Sequence, residues 1–167
     1  MIMRLSMIGG VIALMLASCA PVVSPAAQEA DVEITLTRGA CYGACPVYEV
    51  SITGDGAVTY EGRRFVNVLG VQRAVVSREE VGRLVERFDA VAFVSLRDEY
   101  RAEVTDLPTY TLTLERNGRA KTVVDYAGLD VGMPRAVREL QNEVDRVAGT
   151  AQWVLRDGQP VQDRPEP

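Results

Sequence analysis

The chain reads as an α+β protein: one antiparallel sheet with two helices packed on one face, in the order β-β-β-β-α-β-β-α. Three observations predict this. Period-two alternation of apolar residues recurs in pairs separated by glycine-bearing turns, the pattern of antiparallel hairpins. Two stretches switch to helical spacing, and each follows a hairpin. There is no strand–helix–strand rhythm, so a parallel doubly wound sheet is not expected.

Val32-Glu33-Ile34-Thr35-Leu36-Thr37 alternates strictly and forms the first strand. Residues 38–45 are a loop. Residues 47–53 and 57–61 flank Gly54-Asp55-Gly56. A three-residue loop with Gly56 in the left-handed region pairs Ile52 with Val58 and Val50 with Tyr60. This puts the apolar side chains on one face and Glu49, Ser51, Thr59 and Glu61 on the other, so the register is self-consistent. Residues 71–76 supply a fourth strand.

Ser77 and Glu80 then have the spacing of a capping box, and Val81, Leu84, Val85 and Phe88 make one helical stripe. Residues 93–100 read as a connector and 101–108 as a polar loop. Residues 110–115 and 120–126 form a second hairpin around Asn117-Gly118, its loop either two or three residues long. Pro134 suits the first turn of a last helix, Val137, Leu140, Val144 and Val147 form its stripe, and Gly149 ends it. Trp153 is expected to lie back on the core. The face bearing threonines and charges is expected to stay wet.

Before this body, residues 5–16 are an apolar run of about twelve residues, too short to span a bilayer as a helix. The run ends in Leu16-Ala17-Ser18-Cys19. This resembles the processing site of bacterial lipoproteins. The resemblance implies export, removal of residues 1–18 and a lipid on Cys19. Ala20 follows where, in lipoproteins of Gram-negative bacteria, an aspartate favours inner-membrane retention. It therefore implies an outer-membrane anchor facing the periplasm. Residues 19–31, with two prolines and many small residues, read as a tether. Residues 32–155 then form the single folded domain, and residues 156–167, polar with three prolines, a disordered tail.

Composition narrows the function. The chain has 18 basic against 23 acidic residues, for a net charge of −5. No Lys/Arg cluster is present, which argues against a nucleic-acid partner. There is no histidine. That removes the usual general base, the commonest nitrogen ligand for zinc or copper, and every Ser/His or Cys/His arrangement. No catalytic set, metal site or cofactor is expected.

Of the three cysteines, lipidation consumes Cys19 and leaves Cys41 and Cys45. In an oxidising compartment that pair is expected to be a disulfide. The segment is Cys41-Tyr42-Gly43-Ala44-Cys45-Pro46. A helical i,i+4 pair holds its Cβ atoms about 5–6 Å apart, against about 3.8 Å in a disulfide. The bridge therefore needs a non-helical turn, which Gly43 permits. Pro46 biases Cys45 to extended backbone and begins the next strand.

Two functional alternatives attach to the same residues: thiol–disulfide redox, and copper(I) binding by two thiolates. The Cys-x-x-x-Cys-Pro spacing resembles the copper loop of thioredoxin-like chaperones of cytochrome oxidase assembly. Those chaperones also use a distant histidine and a fold that alternates strands and helices, and this sequence offers neither.

A wider resemblance covers residues 32–153. Cys41-Tyr42-Gly43-x-Cys45-Pro46-x-Tyr48, Gly54-Asp55-Gly56, Tyr60-Glu61-Gly62, Thr105-Asp106-x-Pro108 and Asp125-Tyr126 together resemble a bacterial domain family of unknown function. Many of its members are lipoproteins or secreted proteins. The resemblance implies a compact extracytoplasmic module and no particular activity.

Candidate binding residues are Tyr42, Tyr48, Asp106, Asp125 and Tyr126. Tyr42 sits in the turn that a disulfide would fix. Thr105, Asp106, Thr109 and Asp125 could gather at one end of the second hairpin, or serve turn chemistry with nearby backbone. The acidic stretch of Asp98, Glu99, Glu103 and Asp106 lacks a calcium-loop pattern and reads as a solvated face. The sequence thus points to a non-enzymatic envelope lipoprotein. It would contact the membrane through its lipid and a protein or cell-wall partner through the sheet face or the cysteine loop.

Overall fold

The computed structural model describes residues 31–162. Residues 1–30, with the leader, Cys19 and nearly all of the tether, lie outside the described residues, as do 163–167. The protein is mixed α+β, built on a large, mostly antiparallel sheet with few helices. Its strands are β1 (Val32–Arg38), β2 (Val47–Thr53), β3 (Ala57–Arg64), β4 (Gly70–Val75), β5 (Glu99–Arg101), β6 (Tyr110–Arg116) and β7 (Arg119–Tyr126). They lie in the order β4-β3-β2-β1-β6-β7-β5. Helix α1 spans Arg78–Ala90 and α2 Arg135–Ala148, followed by the single turn α3, Ala151–Val154.

The turns explain the register. At the first hairpin Ile52 opposes Val58 and Val50 opposes Tyr60, with Gly56 at φ +94°. The second hairpin resolves to a two-residue loop: Arg116 opposes Arg119. Asn117 and Gly118 both take positive φ, 54° and 68°, as a type I′ turn requires. Ser77 and Glu80 close the capping box of α1, and Gly149 ends α2 in the left-handed conformation.

Alternation places Ile34, Leu36, Val50, Ile52, Val58, Tyr60, Leu112, Leu114 and Val123 on one face, all buried. Both α1 and α2 send their stripes into this same core. Trp153 lies back on the core as expected, stacked on Tyr60 with ring centroids 4.9 Å apart.

Two elements depart from the sequence reading. Residues 99–101, assigned to the connector and polar loop, form β5, which runs parallel to β7. Three residues are too few for alternation to register. At the other end, the boundary at residue 155 gives way to a small hairpin, β8 (Leu155–Arg156) with β9 (Gln159–Pro160), and Val161 beyond it is buried. Asp157 and Gly158 turn it with positive φ. The polar, proline-bearing composition concealed an Asp-Gly hairpin signal.

Candidate functional site

The inward face of the sheet ends in a row that crosses six strands. Gly62 opposes Tyr48, Tyr48 opposes Arg38, Arg38 opposes Tyr110, Tyr110 opposes Asp125, and Tyr100 lies beside Asp125. Across β3, β2, β1 and β6 the two rows beneath are Val, Ile, Leu and Tyr. Here the same period-two pattern delivers aromatic and charged groups, and helix α2 passes over them.

Two ion pairs dock that helix in opposite senses. Arg38 on β1 reaches Asp145 on α2, its Nη2 2.6 Å from the carboxylate. Arg138 on α2 reaches Asp125 on β7 at 2.7 Å. Both guanidinium groups lie near the Tyr110 ring, 4.3 and 5.2 Å from its centroid.

Asp145 also accepts hydrogen bonds from the Tyr48 hydroxyl at 2.8 Å and from Thr150 at 3.0 Å. Burial raises the Tyr48 pKa well above the ordinary tyrosine range, and the neighbouring Asp145 charge adds to that. Burial works against the Arg38 charge, but Asp145 and the tyrosines outweigh it and raise its pKa.

The Asp125 side chain is fully buried. Its Oδ2 accepts from Arg138 Nε and Nη2 and from Gln141 Nε2, and its Oδ1 accepts from the Gly128 backbone N–H at 2.8 Å. Gln141 Oε1 is buried with no hydrogen-bond partner among the described residues.

An open cleft of about 310 Å³ lies at the Arg38 end of the row. Its walls include Pro46, Tyr48, Pro108, Tyr110, Asn142 and the Cys45 side of the disulfide. Cys41 and Cys45 are bonded to each other. The loop and the residues leading into it are tied to the segment before β6: Tyr42 N–H donates to Asp106 O at 3.1 Å, and Gly39 N–H, ahead of Cys41, to Thr109 O at 2.8 Å. Tyr42 itself is 88% exposed.

The five candidate residues separate. Tyr42 stands on the surface. Tyr48 is buried against Asp145, so it walls the cleft from within. Asp106 is exposed, takes φ +71°, and bonds the adjacent Thr105 hydroxyl. Asp125 is committed to Arg138 and Gln141. The gathering of Asp106 with Asp125 is not found, because β7 carries Asp125 inward while Asp106 sits in the exposed loop before β6. Tyr126 points the other way along β7 and donates its hydroxyl to Val104 O.

Sequence reading missed Arg38, Arg138, Gln141, Asn142 and Asp145, and it placed Tyr110 only among the sheet and loop tyrosines, outside the candidate residues. One signal was available. Arg138, Gln141, Asn142 and Asp145 recur at helical spacing beside the apolar stripe of α2, and Arg38 ends an alternating strand in phase with Ile34 and Leu36.

Among the described residues no group of three or more Cys, Asp or Glu side chains is placed to hold a metal ion. No helix among them is long and apolar enough to cross a membrane.

The chain folds as a small α+β module with a disulfide-closed loop beside a charged and aromatic row. Residues 32–148 match the family described as a domain of unknown function, DUF6438, and the chain belongs to that family. No curated protein matches the chain at a significant level.

Proposed function

We propose that the protein is an exported, lipid-anchored, non-enzymatic binding module of the bacterial envelope, most simply at the outer membrane facing the periplasm. It would contact a protein or cell-wall partner through the disulfide-pinned loop and the adjoining cleft. The carrying observation is Tyr42. A large aromatic side chain stands almost fully exposed on a loop held by a disulfide and by hydrogen bonds to the segment before β6. Holding in advance the backbone that presents such a side chain lowers the entropy lost on binding.

The chemistry of the cleft and of the row behind it supports recognition over catalysis. Asp145 is taken up by Arg38, Tyr48 and Thr150, and Asp125 by Arg138, Gln141 and Gly128. Neither carboxylate is free to move a proton for a substrate. What the cleft offers a ligand is proline and tyrosine rings, one amide and one partly exposed guanidinium. Anchoring and export rest on the Leu16-Ala17-Ser18-Cys19 motif, and an oxidising compartment agrees with the disulfide.

The test is photo-crosslinking in intact cells with benzoylphenylalanine in place of Tyr42. A discrete adduct that disappears with excess unmodified protein is expected. No adduct at Tyr42 together with none at Pro108 would refute the reading. Thiol redox or copper(I) handling by Cys41 and Cys45 is the competing function. A reduction potential below about −300 mV marks an inert structural bridge, whereas one near those of oxidoreductases would favour the competitor.

A further inference from the structure

We propose that the outer edge of β4 pairs with β4 of a second copy of this chain, joining two seven-stranded sheets across a two-fold axis at Gln72. Strand β4 ends the sheet, with β3 on one side and no strand on the other among the described residues. Its backbone polarity follows from the ladder. Val76 N–H donates to Gly56 O, and Ala74 and Gln72 oppose Val58 and Tyr60. In an antiparallel strand the N–H and C=O of one residue point to the same side, and the sides alternate. Gln72 and Ala74 therefore bond β3, while Val71, Arg73 and Val75 aim their N–H and C=O groups outward.

Sheet edges are ordinarily protected by proline, by several charges or by a covering element. This one has no proline and one charge, Arg73. Val75 is 81% exposed, Val71 54% and Leu69, just before the strand, 46%.

The side chains choose the occupant and the register. Pairing about Arg73 would set two guanidinium groups face to face, which like-charge repulsion disfavours. Pairing about Gln72 sets Val71 opposite Arg73 of the second copy, twice. These are hydrogen-bonded pairs, giving four main-chain bonds. It also brings Val75 toward Leu69 of the second copy at each end, covering the exposed apolar side chains. Arg73 has no ion-pair partner among the described residues. It then lies beside Val71 of the second copy, whose neighbour across the sheet is Glu61. Six residues of edge bury less than the ~1,200 Å² of a stable interface, so the contact is reversible.

The axis makes the test specific. Gln72 faces itself in a non-hydrogen-bonded pair, where Cα atoms lie about 4.5 Å apart, within the span of a disulfide. Ala74 of the two copies would be offset by four residues, about 14 Å, beyond that span. The full chain carrying Gln72→Cys or Ala74→Cys is exported with its own leader, oxidised in the membrane and run without reductant. Gln72→Cys is expected to give a species of doubled mass at least tenfold above both Ala74→Cys and the unsubstituted protein. Adding Arg73→Pro removes one outward N–H and no bond of the monomer, and should abolish the species. Val75→Lys, which charges the edge, should do so as well. Equal crosslinking by Ala74→Cys, no doubled species, a crosslink to a different protein, or an unchanged yield with both edge variants would each overturn the proposal.

Discussion

Replacing Asp125 by alanine probes the buried end of the row. Four hydrogen bonds end on this carboxylate. Arg138 is 31% exposed and can turn toward water, so its share is discounted for solvent screening. Gln141 Nε2 and the Gly128 N–H cannot turn. Both are buried, and each stranded donor costs about 1–3 kcal/mol. Asp125→Ala should therefore destabilise the domain by about 4 kcal/mol, a large part of the 5–15 kcal/mol typical of a folded domain. For a body of this size that lowers Tm by roughly 14 °C.

Urea unfolding followed by Trp153 fluorescence measures the effect, with a shifted midpoint and an unchanged slope. Gln141→Leu is the companion. It removes a donor to Asp125 but also the orphaned Oε1, so its cost should stay within about 1 kcal/mol. A loss under 1 kcal/mol for Asp125→Ala, or a Gln141→Leu effect exceeding it, would refute the reasoning.

Three further outcomes follow from the same structure. Replacing Cys41 and Cys45 by serine should cost about 2 kcal/mol through the entropy of the unfolded chain and speed amide exchange at Tyr42, measured by hydrogen exchange; unchanged protection would contradict it. Tyr48 and Tyr60 are both raised by burial, so the unfolded chain ionises these phenols first. The stability they contribute is complete below pH ~10 and is lost above it; absorbance titration should show two of the six tyrosines ionising only with unfolding. Gly62→Ala places a methyl group against Val68 O and the Tyr60 hydroxyl; this overpacking should cost about 2 kcal/mol or more, read as a lowered urea midpoint.

Much of the fold was legible because its signals are local. Gly54-Asp55-Gly56 set the first register, Ser77 and Glu80 opened α1, and Pro134 and Gly149 bracketed α2. Asn117-Gly118 marked the second turn but left its length open, since only the positive φ of both residues decides it. β5 was hidden because its three residues are held by β7, a partner more than twenty positions away.

The site was less legible for a related reason. Tyr42 could be read as exposed from its place in a constrained turn. Tyr48 and Asp125 could not be read as buried until the row across the sheet was assembled. That row joins residues from six strands, and α2 supplies their partners at a sequence distance of 97 between Tyr48 and Asp145. Helical spacing could mark the polar residues of α2, but which strand residue each one meets at that range is written in no local pattern.

The proposal that this is a lipid-anchored, disulfide-closed module is tested most directly by the intact mass of the protein purified from envelopes. The expected mass is that of a chain beginning at Cys19, with acyl groups on that residue and no thiol free to alkylate at Cys41 or Cys45. A chain beginning elsewhere, an unmodified Cys19, or two alkylatable thiols in the exported protein would contradict it.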